Sequence, residues 1–281
     1  MTLPVSGAIS LNQVNVELGI AGTTTISLNQ SNLRTLFGVG SGAITMSNGY
    51  GKANAFGFAV ASNVTNANLR TLAVNAGWTG TSALTCTLNS GIYFISSAVG
   101  TAGLTINGSF PNGVTFVNNG IVVGDHGDGG GGAGWAGSGG GGGAGGLALL
   151  IQSAVSIRNN GTIAGGGGGG GGGGSARGTN NNGDIYYPVS GGSGGRGKSV
   201  SGPLGGSGGQ AVTQGKSTFR GGTGGTGGQW GASGGAGGGG SGNAQGGGGR
   251  PGGAGGGGGA ATSGQSSVTW LATGTRYGSL G

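Results

Sequence analysis

The sequence predicts a mostly irregular and β fold in three parts: a small N-terminal repeat module, a β unit of short strands, and a bundle of polyglycine II helices joined by loops. Three observations carry this prediction. Of the 281 residues 85 are glycine, 68 of them after Val123, with ten in a row at Gly165–Gly174. A Leu-Asn-Gln repeat occupies the first fifty residues. From Ala55 to Val123, short apolar runs alternate with Gly/Asn turns. The implied divisions are residues 1–53 (attachment module), 54–123 (β unit), 124–262 (bundle) and 263–281 (closing segment).

In the first part, Ile9-Ser10-Leu11-Asn12-Gln13 recurs as Ile26-Ser27-Leu28-Asn29-Gln30, and Ser6-Gly7-Ala8-Ile9 recurs as Ser41-Gly42-Ala43-Ile44. After each Leu-Asn-Gln the apolar spacing turns helical, as in Val14/Leu18 and Leu33/Leu36/Phe37. Each unit therefore reads as a short strand, an Asn cap and one or two helical turns ending at Gly19 or Gly38. So short a module buries little on its own and suits docking on a partner. In the second part Asn68–Leu72 echoes Asn32–Leu36, and Leu84–Leu88, Ile92–Ile95, Leu104–Ile106 and Val114–Val117 read as strands. Cys86, the one cysteine, reads as a small buried apolar residue with no intramolecular partner.

A second repeat leads into the glycine region: Val114–Gly124 matches Val155–Gly165, both with Asn-Asn-Gly as a tight turn between two short strands. Beyond it, side chains can build almost no core. Fixing each glycine costs on the order of 1–2 kcal/mol of backbone entropy, so an ordered tract must satisfy every N–H and C=O. A flexible linker would be Gly/Ser or Gly/charged. This segment instead carries Trp135, Leu147, Leu149, Leu150, Ile151, Phe219, Trp230 and Trp270, with Asp125, Asp128 and Asp184 as its acids. A chain with 5% charged residues is poorly suited to staying soluble while unfolded. A strict G-X-Y period is absent, which excludes collagen. Polyglycine II helices fit: they are extended and three-fold, their N–H groups point outward to neighbouring chains, and ten glycines span about 31 Å.

The chain has one His and four acids. Asp125-His126-Gly127-Asp128 is too sparse for a metal or acid–base site and reads as a polar cap at the start of the first tract. No phosphate-loop motif occurs, since Lys198-Ser199 follows Gly-Gly-Arg-Gly without the required spacing. No catalytic residue, metal or cofactor is expected. Net charge is +7, and seven of the eleven bases lie in the last 117 positions, which favours an anionic partner. They are scattered singly, which argues against nucleic acid. Leu147–Ile151 is too short to cross a bilayer, and the N-terminus lacks a basic region followed by an apolar run. The expectation is a cytosolic protein or part of a particle assembled in the cytosol.

The inserts Ser175–Ser190, Lys198–Leu204, Gln210–Arg220, Gln229-Trp230, Asn243–Gln245 and Arg250-Pro251 read as connections between successive tracts. In an antiparallel bundle such turns alternate between ends, so the two longest, 175–190 and 210–220, share one end. That end gathers Arg177, Asn180, Asn181, Asn182, Tyr186, Tyr187, Lys216, Phe219 and Arg220. Rigid aromatics, bases and adaptable amides are the residue types of binding surfaces.

The Asn-Asn-Gly-Thr-Ile-Ala entry into ten glycines (Asn159–Gly174), followed by tracts interleaved with loops, resembles the glycine-rich receptor-binding adhesins at the tail-fibre tips of T-even-type bacteriophages. The likeness covers roughly Val114–Ala260. It implies a non-enzymatic virion adhesin in which a polyglycine II sandwich displays loops that touch a host outer-membrane protein or a surface glycan such as lipopolysaccharide. The N-terminal Ser-Gly-Ala-Ile-Ser-Leu-Asn-Gln repeat is similar to segments of phage tail proteins, which implies docking on a tail fibre or tail-tip protein. The alternative is a structural tail or baseplate subunit whose loops contact other virion proteins. An ice-binding bundle is opposed by Arg, Tyr and Asn, which interrupt any flat Thr/Ala/Val face.

Overall fold

From Ala55 onward the strands follow one another in sets of three, each set stacked in parallel on the last. The computed structural model describes residues 3–135, 137–177, 189–214, 217–242 and 248–281. The first rung is β1 (Ala55–Val60), β2 (Val64–Thr65) and β3 (Ala67–Asn68), and the second is β4 (Ala83–Leu88), β5 (Tyr93–Ile95) and β6 (Leu104–Ile106). The third is β7 (Val114–Asn118), β8 (Ile121–Val123) and β9 (Leu149–Ile151). The fourth begins with β10 (Val155–Asn159) and β11 (Thr162–Ala164). After a long insertion holding the hairpin β12 (Ala211–Gln214) and β13 (Ser217–Arg220), it closes with β14 (Thr262–Ser263). The fifth is β15 (Val268–Ala272) and β16 (Thr275–Tyr277), completed by a bridge from Leu280 to Thr262. The faces are β1-β4-β7-β10-β15, β2-β5-β8-β11-β16 and β3-β6-β9-β14, so the chain is mostly β and winds as a three-sided solenoid. The β unit is thus completed by strands from beyond residue 148.

Alternation along each strand turns one side chain in two inward, and the parallel register stacks these into columns. Phe58, Cys86, Phe116, Ile157 and Trp270 form one, and Phe94, Val122 and Ile163 a second. The rings of Phe94 and Phe116 stack across faces at 6.1 Å. At the last rung the second column ends on Arg276, whose guanidinium lies 4.8 Å over the Trp270 ring. A cation there lets the solenoid end against water instead of presenting an apolar template for another rung.

The Asn-Asn-Gly motifs are the expected tight turns between short strands, and each turns a corner between two faces. The 114–124 and 155–165 repeats are successive rungs in register, with Asn118 opposite Asn159. Both asparagines are buried. The amide of Asn118 donates to Asn159 Oδ1 at 2.7 Å, Asn159 donates to the Thr273 carbonyl at 2.7 Å, and the Gly120 N–H donates to Asn118 Oδ1 at 3.1 Å. The ladder satisfies polar groups that the apolar interior cannot.

Burial pushes the Cys86 thiol from the usual 9.0 up to about 12. It is expected to resist maleimide at pH 8 in the native protein and to react only on unfolding. Its folded pKa is raised, so its contribution to stability is full below about 9 and is lost as pH climbs toward 12. Rapid labelling of the native thiol would contradict the buried column.

The N-terminal module packs Leu3, Val14, Leu33, Leu36 and Phe37 around two short helices, α1 (Leu11–Glu17) and α2 (Ser31–Phe37). The expected strands are absent among its described residues, and the two repeats fold differently. In the first, the cap is Ser10 in a capping box with Gln13, so Asn12 lies inside the helix; in the second, Gln30 precedes the helix without a side-chain cap. Helix α2 ends at left-handed Gly38 as expected (φ 71°). A third helix, α3 (Leu69–Asn75), is capped by Asn68 and leaves the solenoid after the first rung. The module meets the solenoid where Glu17 accepts the Asn54 N–H at 2.8 Å.

The glycine region is an insertion at one corner of the solenoid. Residues 124–134 and 137–147 interrupt the third rung; 165–175, 190–198, 204–210, 221–229, 232–241 and 249–260 interrupt the fourth. Tracts consecutive in each insertion run antiparallel, and their backbones bond with a three-residue period. In the ten-glycine run, the N–H groups of Gly166, Gly169 and Gly172 donate to 137–147, those of Gly167, Gly170 and Gly173 to 190–198, and those of Gly168, Gly171 and Gly174 to 232–241. Its carbonyls accept from 124–134, 221–229 and 249–260. Those six tracts close a ring around 165–174, and 204–210 lies outside, bonded to 190–198 and 221–229. A Cβ on any residue of the run would meet backbone within 2.1 Å, which is why no other residue appears there.

Candidate functional site

The tracts fix which connections share an end. Tracts 124–134 and 165–175 both run away from the solenoid, and strict reversal then places the Gly134–Gly137 turn, Ala176–Arg177 with Val189, the β12–β13 hairpin and Ser241–Gly242 at the free end. The turns at 199–203 and 229–231 return to the solenoid. The described roots of the two longest inserts therefore share one end. Arg250-Pro251 is not a connection as expected from sequence: the Arg250 N–H donates to Ser175, and Pro251 accepts from Gly139, within the last tract.

The free end is tied at its base. Ala176 pairs with Val189 across the root of one connection, and Arg220 exchanges both backbone bonds with Ser241 at 2.7 Å. Phe219 is fully buried with Ala176 and Val189, and a Cβ on Gly242 would strike its ring at 2.8 Å. Phe219 thus departs from its expected place on the binding surface. Alternation in β13 turns it toward the bundle, where it holds three connections together, while Arg220 beside it is exposed. Arg177 is half-buried at the foot of its connection. Asn180, Asn181, Asn182, Tyr186, Tyr187 and Lys216 lie outside the described residues.

The model of the phage tail fibre adhesin Gp38 family matches residues 55–281, spanning the solenoid and the whole glycine insertion. The chain belongs to this family. A chain in the crystal structure of the gp37-gp38 adhesin tip complex of the bacteriophage S16 long tail fiber is similar over 98% of this chain and 99% of that one, at 20% identity and a TM-score of 0.49. No curated protein matches.

Elsewhere on the adhesin, polar groups serve the scaffold. His126 Nδ1 lies 2.9 Å from Asp125, and its Nε2 lies 3.7 Å from Asp128 and 3.4 Å from the Arg196 guanidinium. This cluster therefore links the first tract to 190–198 as well as marking the tract's start. At the solenoid end, Trp230 donates to the Ser199 carbonyl at 2.7 Å beneath Lys198, whose ammonium is 4.0 Å from the ring. No group of three or more metal-ligating side chains occurs among the described residues, and no helix there is long and apolar enough to cross a membrane.

Two parts of the free end were missed from sequence. One is the Trp135 turn, hidden between two glycine tracts; the other is Ser241-Gly242, which locks against the hairpin. A signal was present in a local period of three. Leu204/Ser207/Gln210, Ser190/Ser193/Arg196, Thr223/Thr226/Gln229 and Ser233/Ala236 recur at outward positions of the outer tracts. That phase marks each tract's direction and length, and hence its end.

Proposed function

We propose that this adhesin recognises the host surface through the free end of the bundle, binding an outer-membrane protein or a surface glycan, and that it works on the virion tail, where it is assembled in the host cytoplasm. The tracts are read as polyglycine II helices: three-residue bonding in three directions, with no positive φ among the tract glycines from 165 to 174, is the pattern such helices require. The observation that supports the functional reading is that the tract ends gather the Trp135 turn, the β12–β13 hairpin and the roots at Ala176, Val189 and Ser241 at the end remote from the solenoid, pinned by backbone bonds and Phe219. A rigid base under variable loops is how binding surfaces are held ready. Arg177, Asn180, Asn181, Asn182, Tyr186, Tyr187, Lys216 and Arg220 are assigned to contact, with Phe219 as support. The N-terminal module, which lies outside the family match, is assigned to docking on a tail-fibre or tail-tip protein.

Purified full-length protein added to host cells before phage is expected to block adsorption saturably. A chain lacking residues 1–53 should block equally well yet fail to join particles. Absence of any block by the full chain would favour a structural tail subunit, and failure of the shortened chain to fold would remove the attachment role from the module.

A further inference from the structure

Three of the four tryptophans are engaged alike, with the indole N–H bonded and the ring covered. Trp78 donates to the Ser82 carbonyl at 3.0 Å and stacks on Phe110 at 5.7 Å. Trp230 lies under Lys198 as described, and Trp270 donates to Gln265 at 2.8 Å beneath Arg276. Trp135 has neither. It is 68% exposed at the free end, with no hydrogen bond or ring contact among the described residues, on a turn closed by the Gly137 N–H on the Gly134 carbonyl at 3.2 Å.

Charge is segregated along the bundle. Among the described residues the roots at the free end carry Arg177, Arg220 and Arg250 and no acid, whereas nearer the solenoid Arg196 and Lys198 are balanced by Asp125 and Asp128. Arg220 and Arg250 are exposed, and neither makes an ion pair among the described residues. Their backbones are held: Arg220 by Ser241, and Arg250 by its N–H to Ser175 at 2.8 Å and its carbonyl to the Gly240 N–H at 2.9 Å.

We propose that the free end binds an anionic saccharide, with Trp135 stacking on the C–H face of a sugar ring and Arg220 and Arg250 pairing with its phosphate or carboxylate groups. The inference rests on the host-recognition reading and names the receptor's class. A sugar ring offers one apolar face edged by polar groups, which suits a single flat indole among cations. A protein epitope calls for a broader apolar centre. Trp135 is the one large apolar side chain exposed at this end among the described residues.

The test uses purified full-length protein and the lipopolysaccharide and capsule fractions, kept separate, of a strain to which it adsorbs. Binding to one fraction is expected; which one identifies the source. Phosphatase treatment or carboxyl reduction of that fraction should weaken it. Trp135→Ala should lower affinity about thirtyfold, the loss typical of a buried aromatic anchor. Arg220→Gln with Arg250→Gln should weaken binding and flatten its salt dependence, with melting unchanged in both variants. Adsorption that is abolished by protease treatment of the cells, with neither fraction bound, would overturn the saccharide assignment and leave host recognition standing. Binding to a fraction that is indifferent to the Trp135 and arginine variants would overturn the site. No adsorption to any susceptible cell would overturn both readings.

Discussion

Replacing Gly168 with valine is expected to yield insoluble or unfolded protein, whereas Gly257→Ala, in a neighbouring tract, should express and melt as wild type. A Cβ at Gly168 would lie 2.1 Å from the Gly256 carbonyl oxygen and 2.6 Å from that of Gly257, and both are backbone atoms that no rotamer change can move. The tracts must then separate. Because 165–174 bonds on all sides, separation leaves buried amides unpaired at about 1–3 kcal/mol each. A few such losses rival a whole domain's stability of about 5–15 kcal/mol. Gly257 has open space where the methyl group would go. Its change should stay within about 0.5 kcal/mol. Soluble yield and thermal melting decide, and normal melting of Gly168→Val would contradict the packed bundle.

The second large effect is on recognition. Tyr186→Ala, Tyr187→Ala and Arg220→Ala together should abolish adsorption to host cells while melting stays near wild type. Anchors of these types typically lose about 2 kcal/mol or more each on truncation, roughly thirtyfold in affinity. Arg220 is exposed, and its backbone, which the substitution leaves in place, makes the bonds to Ser241. Phe219→Ala gives the contrast: emptying the cluster with Ala176 and Val189 should loosen the free end, so binding and local protection fall together. If the triple variant adsorbs normally, recognition lies elsewhere or the loops contact other virion proteins.

Much of this design was legible because it is local. Ten consecutive glycines with apolar flanks imply backbone packing, and reversal of direction at each insert sets which tract ends lie on the same side. The rung register was written in the Asn118/Asn159 repeat, yet the same Asn-Asn-Gly suits a hairpin equally well; only pairing with the strands above and below decides for a corner. The solenoid was hidden for a related reason. Its third face pairs β9 with β14 across the larger part of the glycine region, and no short window of sequence records that they are neighbours. Phe219 was misplaced because aromatic residues in a loop suit contact and support alike, and strand alternation in β13 sets which role it takes. In the N-terminal module identical Leu-Asn-Gln triplets fold differently because the residues that follow set where each helix starts.

The glycine tracts form a bonded core that carries the proposed recognition end. Hydrogen exchange of the Gly165–Gly174 amides tests it most directly. All of them donate to other backbone carbonyls, so they should exchange only through global opening, as slowly as the amides of β7 and β10. Exchange of these glycines at the rate of an unstructured chain, with the solenoid strands still protected, would contradict it.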